Sequence, residues 1–149
     1  MFDFLNYVPL VGGFLSTVVP FVIVLSIVVA IHEFGHYIVG RWCGIHAEVF
    51  SLGFGPVLAS RVDKHGTHWQ IAAVPLGGYV RFLGDADAAS RPDDTNSVDD
   101  ALRHKTLNGA KLYKRAFTVV AGPAANFLLS TVIYFGIIYF SGVLSNDPV

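Results

Sequence analysis

The chain has 149 residues, enough for one ordinary soluble domain, but 53% of them are hydrophobic and the mean hydropathy is +0.55, values that argue for a membrane protein. A net charge of −1 gives no reason to expect a nucleic-acid partner, and the single cysteine, Cys43, excludes an internal disulfide. The charges are sorted along the chain: every Lys and Arg lies between Arg41 and Arg115, and outside that stretch only Asp3, Glu33 and Asp147 are formally charged.

Residues 1–13 form a soft apolar lead-in, and residues 14–40 are long enough to span a bilayer as a helix. A signal peptide fits poorly, because Asp3 stands where Lys or Arg belongs and the apolar run is too long. Near the end of this run stand His32-Glu33-Phe34-Gly35-His36. Residues four apart share a helix face, so His32 and His36 can direct both imidazoles at one metal ion, and Glu33 can reach a water on that ion without being a ligand. Ionisable groups cost about 2.5–3.5 kcal/mol each at the centre of a membrane helix, so three inside one span require a purpose.

From residue 41 to 83 the helical period gives way to alternation. Val49–Phe54 and Thr67–Ala72 read as strands around the turn Asp63-Lys64-His65-Gly66, and Gly78–Phe82 as a third. The Gly and Pro residues among them predict bulges and exposed edges. The result is a small β unit at the membrane surface, too short to bury a core of its own.

Residues 84–115 begin with an acidic loop containing Asp85, Asp87, Asp93 and Asp94. It is no EF-hand, since counting from Asp85 puts Ser90 at the glycine position and Asn96 at the bidentate glutamate position. Ser97-Val98-Asp99-Asp100 resembles a capping box that starts a short surface helix ending near Asn108-Gly109.

Residues 116–144 predict a second membrane helix, followed by the tail 145–149. Within it, Gly122 and Pro123 suit close helix packing. Asn126 needs a polar partner in lipid. It lies about 15 Å beyond Arg115 along the axis, a depth comparable to that of the histidines. Arg41, Arg103, Lys105, Lys111, Lys114 and Arg115 flank the spans on the loop side and neither tail carries a base, so the central loop is expected in the cytoplasm and both termini outside. The histidines then sit roughly 8–14 Å below the cytoplasmic surface. The fold class expected is a membrane α-helical protein with two transmembrane helices and a cytoplasmic, membrane-associated β unit between them.

The chain resembles the N-terminal part of site-2-type intramembrane zinc metalloproteases of the bacterial regulator-of-sigma-E protease kind. The resemblance rests on Ile31–Tyr37, Phe50–Pro56, Pro75–Arg81 and Ala121–Phe127, in the family's order. It implies a Zn2+ ion held by His32 and His36, with Glu33 as general base. It also implies that the β region, Gly78 and Tyr79 included, holds substrate in extended form, and that Asn126 faces the centre to bind substrate or the tetrahedral intermediate. The implied setting is the bacterial inner membrane, and the implied substrate a transmembrane protein such as an anti-sigma factor.

The resemblance also marks what to look for elsewhere. The family's third ligand is an aspartate in an Asn-Pro…Leu-Asp-Gly stretch on a later helix, and its PDZ region follows the second helix; neither pattern occurs in these residues. Two histidines fall short of the usual three protein ligands plus water. The 149 residues alone are therefore expected to be a truncated and proteolytically inactive piece, the missing C-terminal part supplying the third ligand. A non-catalytic membrane metal-binding or interaction fragment is the alternative. Histidine-box oxygenases need more clustered histidines than one tight pair.

Overall fold

The computed structural model describes residues 9–85 and 100–142. They form helix α1 (Pro9–Trp42), strands β1 (Ala47–Val62) and β2 (His68–Phe82), a 3-10 turn (Asp100–Lys105) and helix α2 (Leu112–Ser141). Both helices are long and apolar enough to cross a membrane. Each takes in charged residues that the apolar runs had left outside, Arg41 in α1 and Lys114 and Arg115 in α2. Helical hydrogen bonding continues through a charged turn, whereas a hydropathy run stops at it. At the far end α2 closes earlier than 144: Gly142, at φ +71°, donates its N–H back to Ile138 O at 3.0 Å.

The end of α1 is a Schellman stop. Gly44 adopts φ +81°, its N–H bonds Arg41 O at 3.0 Å, and the Ile45 N–H bonds Gly40 O at 2.9 Å. Ile45 is then buried to 1% exposure. Lys114 of α2 donates its Nζ to Cys43 O at 2.7 Å, placing a cation where the helix dipole is negative. That contact brings the start of α2 to the end of α1.

The two strands pair antiparallel in one sheet. Val49, Phe50, Ser51 and Leu52 have partners on both flanks: Arg81, Val80, Tyr79 and Gly78 on one, and His68, Trp69, Gln70 and Ile71 on the other. The long strands thus fold back on themselves, and β1 also runs on through Val57–Val62, beyond the expected end at Phe54. The bend is at Gly53, φ +92°, where a side chain would stand 2.8 Å from Val74 O.

The core lies where the end of α1 meets the sheet. Tyr37 packs edge-on against Phe50 and Trp69, which stack on each other at 4.2 Å, and Ile45, Ala47 and Phe82 close the cluster. The sheet thus completes its core with α1 and with Leu107 and Ala110 of the later connection. Asp63 pins the hairpin turn. Its Oδ1 accepts from the His65 and Thr67 amides at 2.7 and 3.1 Å, and its Oδ2 accepts from Tyr37 Oη at 3.0 Å and Trp69 Nε1 at 3.4 Å. Burial works to raise the carboxyl, but these four donors outweigh it and hold its pKa at about 2, below the ordinary 3.8.

Ser26 Oγ donates to Pro75 O at 2.8 Å, so β2 follows α1 about 10 Å past Glu33, and Phe54, Val57, Leu58, Val74 and Leu76 around this bend are exposed and apolar. The surface helix expected to end near Asn108-Gly109 is instead the 3-10 turn ending at Lys105, stopped where Thr106 Oγ1 bonds Arg103 O and the Gly109 N–H, both at 2.8 Å. The tail, the first eight residues, most of the acidic loop and the start of the capping box lie outside the described residues.

Candidate metal centre

The helical period brings His32 and His36 onto one face of α1, and α2 supplies the other wall. Their ring centroids are 4.8 Å apart at 80°, and their Nε2 atoms approach to 3.1 Å. Two nitrogens on one tetrahedral zinc, each at 2.0–2.1 Å, stand about 3.3 Å apart. The pair therefore has the bite that zinc requires.

The outer nitrogens are also held. His36 Nδ1 bonds the Thr118 carbonyl at 2.7 Å, and His32 Nδ1 meets Asn126 Nδ2 at 3.2 Å. Thr118 is itself 1% exposed and ties its Oγ1 to Lys114 O at 2.9 Å. Gly122 faces the point where the two Nε2 atoms meet; a Cβ there would collide with His36 and lie 2.8 Å from His32 Nε2. Close approach of the helices is made by Gly35, whose missing Cβ would lie 2.5 Å from Ala121 O and 2.8 Å from the Ala125 Cβ. The Asn126 Oδ1 is buried with no partner among the described residues. The cradle free of side chain at Gly122 and the spacing of the two Nε2 atoms together fit a metal ion. Among the described residues no third His, Cys, Asp or Glu joins them.

Glu33 lines a cavity of about 180 Å³ with His36, Val80, Phe82, Asp85, Thr118 and their neighbours. From the sheet, Gly78 comes against it, so close that a Cβ would lie 3.3 Å from Glu33 Cγ and 2.7 Å from Ser51 O. Tyr79, one residue on, points elsewhere by the pleat of the strand: its ring stacks on Phe54 at 6.3 Å and its hydroxyl accepts from Gln70 Nε2 at 3.0 Å. The structure thus gathers His32, Glu33, His36, Asn126 and Gly78, and leaves the Tyr79 side chain apart. Asn126 reaches the outer nitrogen of His32, on the far side of the ring from Nε2. Sequence reasoning missed Thr118, because a carbonyl partner carries no residue signature.

Residues 20–147 match the model of peptidase family M50. Among curated proteins, the chain is 51% identical over 148 residues to one from Agrobacterium fabrum named provisionally as a zinc metalloprotease, covering 97% of this chain and 39% of that one. It is 45% identical over 132 residues to the metalloprotease MmpA of Caulobacter vibrioides, covering 82% and 33%. A provisionally named zinc metalloprotease of Pasteurella multocida is 42% identical over 137 residues, covering 92% and 29%. The chain spans less than two fifths of the length of these relatives. On the family match and these identities, the chain belongs to peptidase family M50.

Proposed function

We propose that the protein carrying these residues is a zinc endopeptidase that cuts peptide bonds within transmembrane segments. His32 and His36 hold the metal, and a later part of the protein supplies the third ligand. One observation carries the reading: both Nε2 atoms converge over Gly122 at a zinc-compatible spacing, with Glu33 on the adjoining cavity wall.

Zinc, when bound, polarises the scissile carbonyl and lowers the pKa of its water to about 7. Glu33 takes the proton of the attacking water on its carboxylate and returns it to the leaving amide nitrogen. Thr118 O fixes the His36 ring, and Gly78 brings a strand backbone beside Glu33. A transmembrane helix hides its carbonyls in its own hydrogen bonds, so it must unwind locally to react, and a neighbouring strand can pair with the freed backbone. The substrate class that follows is a membrane-spanning protein, an anti-sigma factor being one example. The bacterial inner membrane is the setting, with the loop in the cytoplasm and both termini outside.

The test is Glu33→Gln in the full-length protein, with cleavage of a fluorescent transmembrane reporter and zinc content measured together. Cleavage is expected to fall by about 10²–10⁴-fold with zinc retained, since a base is lost and no ligand is. Undiminished cleavage defeats the mechanism. The 149 residues alone, offering two ligands among those described, are expected to show no zinc-dependent cleavage.

A further inference from the structure

A histidine that binds a metal through Nε2 must keep that lone pair free, so its proton sits on Nδ1 and the partner there must accept. His36 meets this condition: Nδ1–H donates to the Thr118 carbonyl at 2.7 Å. His32 does not meet it as its partner is turned. The Asn126 amide offers Nδ2, a donor, to His32 Nδ1 at 3.2 Å, while its acceptor Oδ1 is buried with no partner among the described residues.

One proton assignment satisfies all three contacts. Asn126 Nδ2–H donates to His32 Nδ1 (3.2 Å), His32 Nε2–H donates to His36 Nε2 (3.1 Å), and His36 Nδ1–H donates to Thr118 O (2.7 Å). The run has a single direction, and its middle proton occupies the lone-pair position a metal needs. A half-turn of the Asn126 amide about its last side-chain bond exchanges Nδ2 and Oδ1. The acceptor then faces His32 Nδ1, and the ring carries its proton there. The two arrangements hold the same number of protons: one moves from Nε2 to Nδ1 of His32 and none is gained or lost.

We propose that Asn126 is a positioning residue that sets the tautomer of His32 by turning its amide, and that it does not contact substrate. The proposal rests on the zinc reading above. It accounts for a buried oxygen that no partner among the described residues satisfies, and for an amide located behind a ligand ring, away from the Nε2 atoms.

The experiment uses the full-length protein in detergent, with zinc affinity measured by competition against a chromophoric chelator and ring nitrogens followed by 15N NMR of labelled histidine. Asn126→Leu, which cannot accept, is expected to weaken zinc binding about 10–100-fold. Asn126→Asp, an acceptor in either orientation, should bind zinc as tightly as the unsubstituted protein or more so. In the zinc-loaded unsubstituted protein, the His32 proton should be found on Nδ1. The proposal is overturned if Asn126→Leu keeps its zinc affinity while KM for the reporter rises, the pattern of a substrate contact. Equal loss in the Leu and Asp variants overturns it too, since that is the mark of packing alone. A His32 proton on Nε2 with zinc present overturns it without any variant. Failure of the unsubstituted protein to bind zinc at all sinks the underlying zinc reading, an outcome visible before any variant is made.

Discussion

At the scale of single residues, the site depends on where a side chain is missing as much as on where one stands. Gly122 leaves open the point where two imidazole nitrogens meet, and Gly78 lets a strand backbone lie against Glu33. Gly122→Ala puts a methyl group into that point. Overpacking of this kind costs about 1–3 kcal/mol, so zinc affinity in the full-length protein should fall by about ten-fold or more while the helices still form, as chelator competition and circular dichroism would check. Unchanged zinc affinity would show that the metal lies elsewhere. The sequence could bring His32, Glu33 and His36 together, because four-residue spacing on a helix is a local rule. It could not give Thr118 O as the partner of His36, since that contact joins residues 82 apart through a backbone atom.

At the scale of elements, the hairpin turn is tied to α1 by one carboxylate. Asp63 has its pKa lowered to about 2, so its contribution to stability is fully present above the ordinary 3.8 and is lost as pH falls from there through 2. Asp63→Asn keeps an oxygen for the two backbone amides but removes the charge. The native protein should lose Trp69 packing between about pH 4 and 2, and the variant should show a flatter response in that window. Trp69 fluorescence, measured with Trp42 replaced by Phe, reports the difference; identical acid profiles would remove Asp63 from this role. The turn at 63–66 and the extended character of Val49–Phe54, Thr67–Ala72 and Gly78–Phe82 were legible from Gly, Asp and alternation, but the last two segments, from His68 on, lie in one strand, β2, and not in two. The doubled register of Val49–Leu52 was not, because alternation marks the two faces of a strand and says nothing about which neighbours fill its two edges.

At the scale of the whole molecule, the two apolar helices and the sheet beside α1 make one geometric statement about depth. In the orientation proposed above, the Asp63–Gly66 turn would face the cytoplasm, while Pro75, bonded to Ser26, lies about 10 Å beyond Glu33 along α1. Single cysteines introduced in a Cys43→Ser background test this in oriented vesicles. His65→Cys should react quickly with an impermeant maleimide added from the cytoplasmic side, and Leu76→Cys at least ten times more slowly from either side. Equal and rapid labelling of both would mean that the sheet lies in water and not beside a membrane-buried helix.

Apolar length, the sorting of charge and the four-residue histidine spacing are local properties, and the sequence by itself determined from them two helices, a β unit between and a histidine pair on one face. Which ring nitrogen meets which partner, how far the sheet follows α1 and which way Asn126 aims its amide were decided only by tertiary structure. The contacts that settle these points join residues 49, 82 and 94 positions apart, at Ser26–Pro75, His36–Thr118 and His32–Asn126. Periodicity fixes the face a side chain occupies; only packing against a distant element fixes what that face meets.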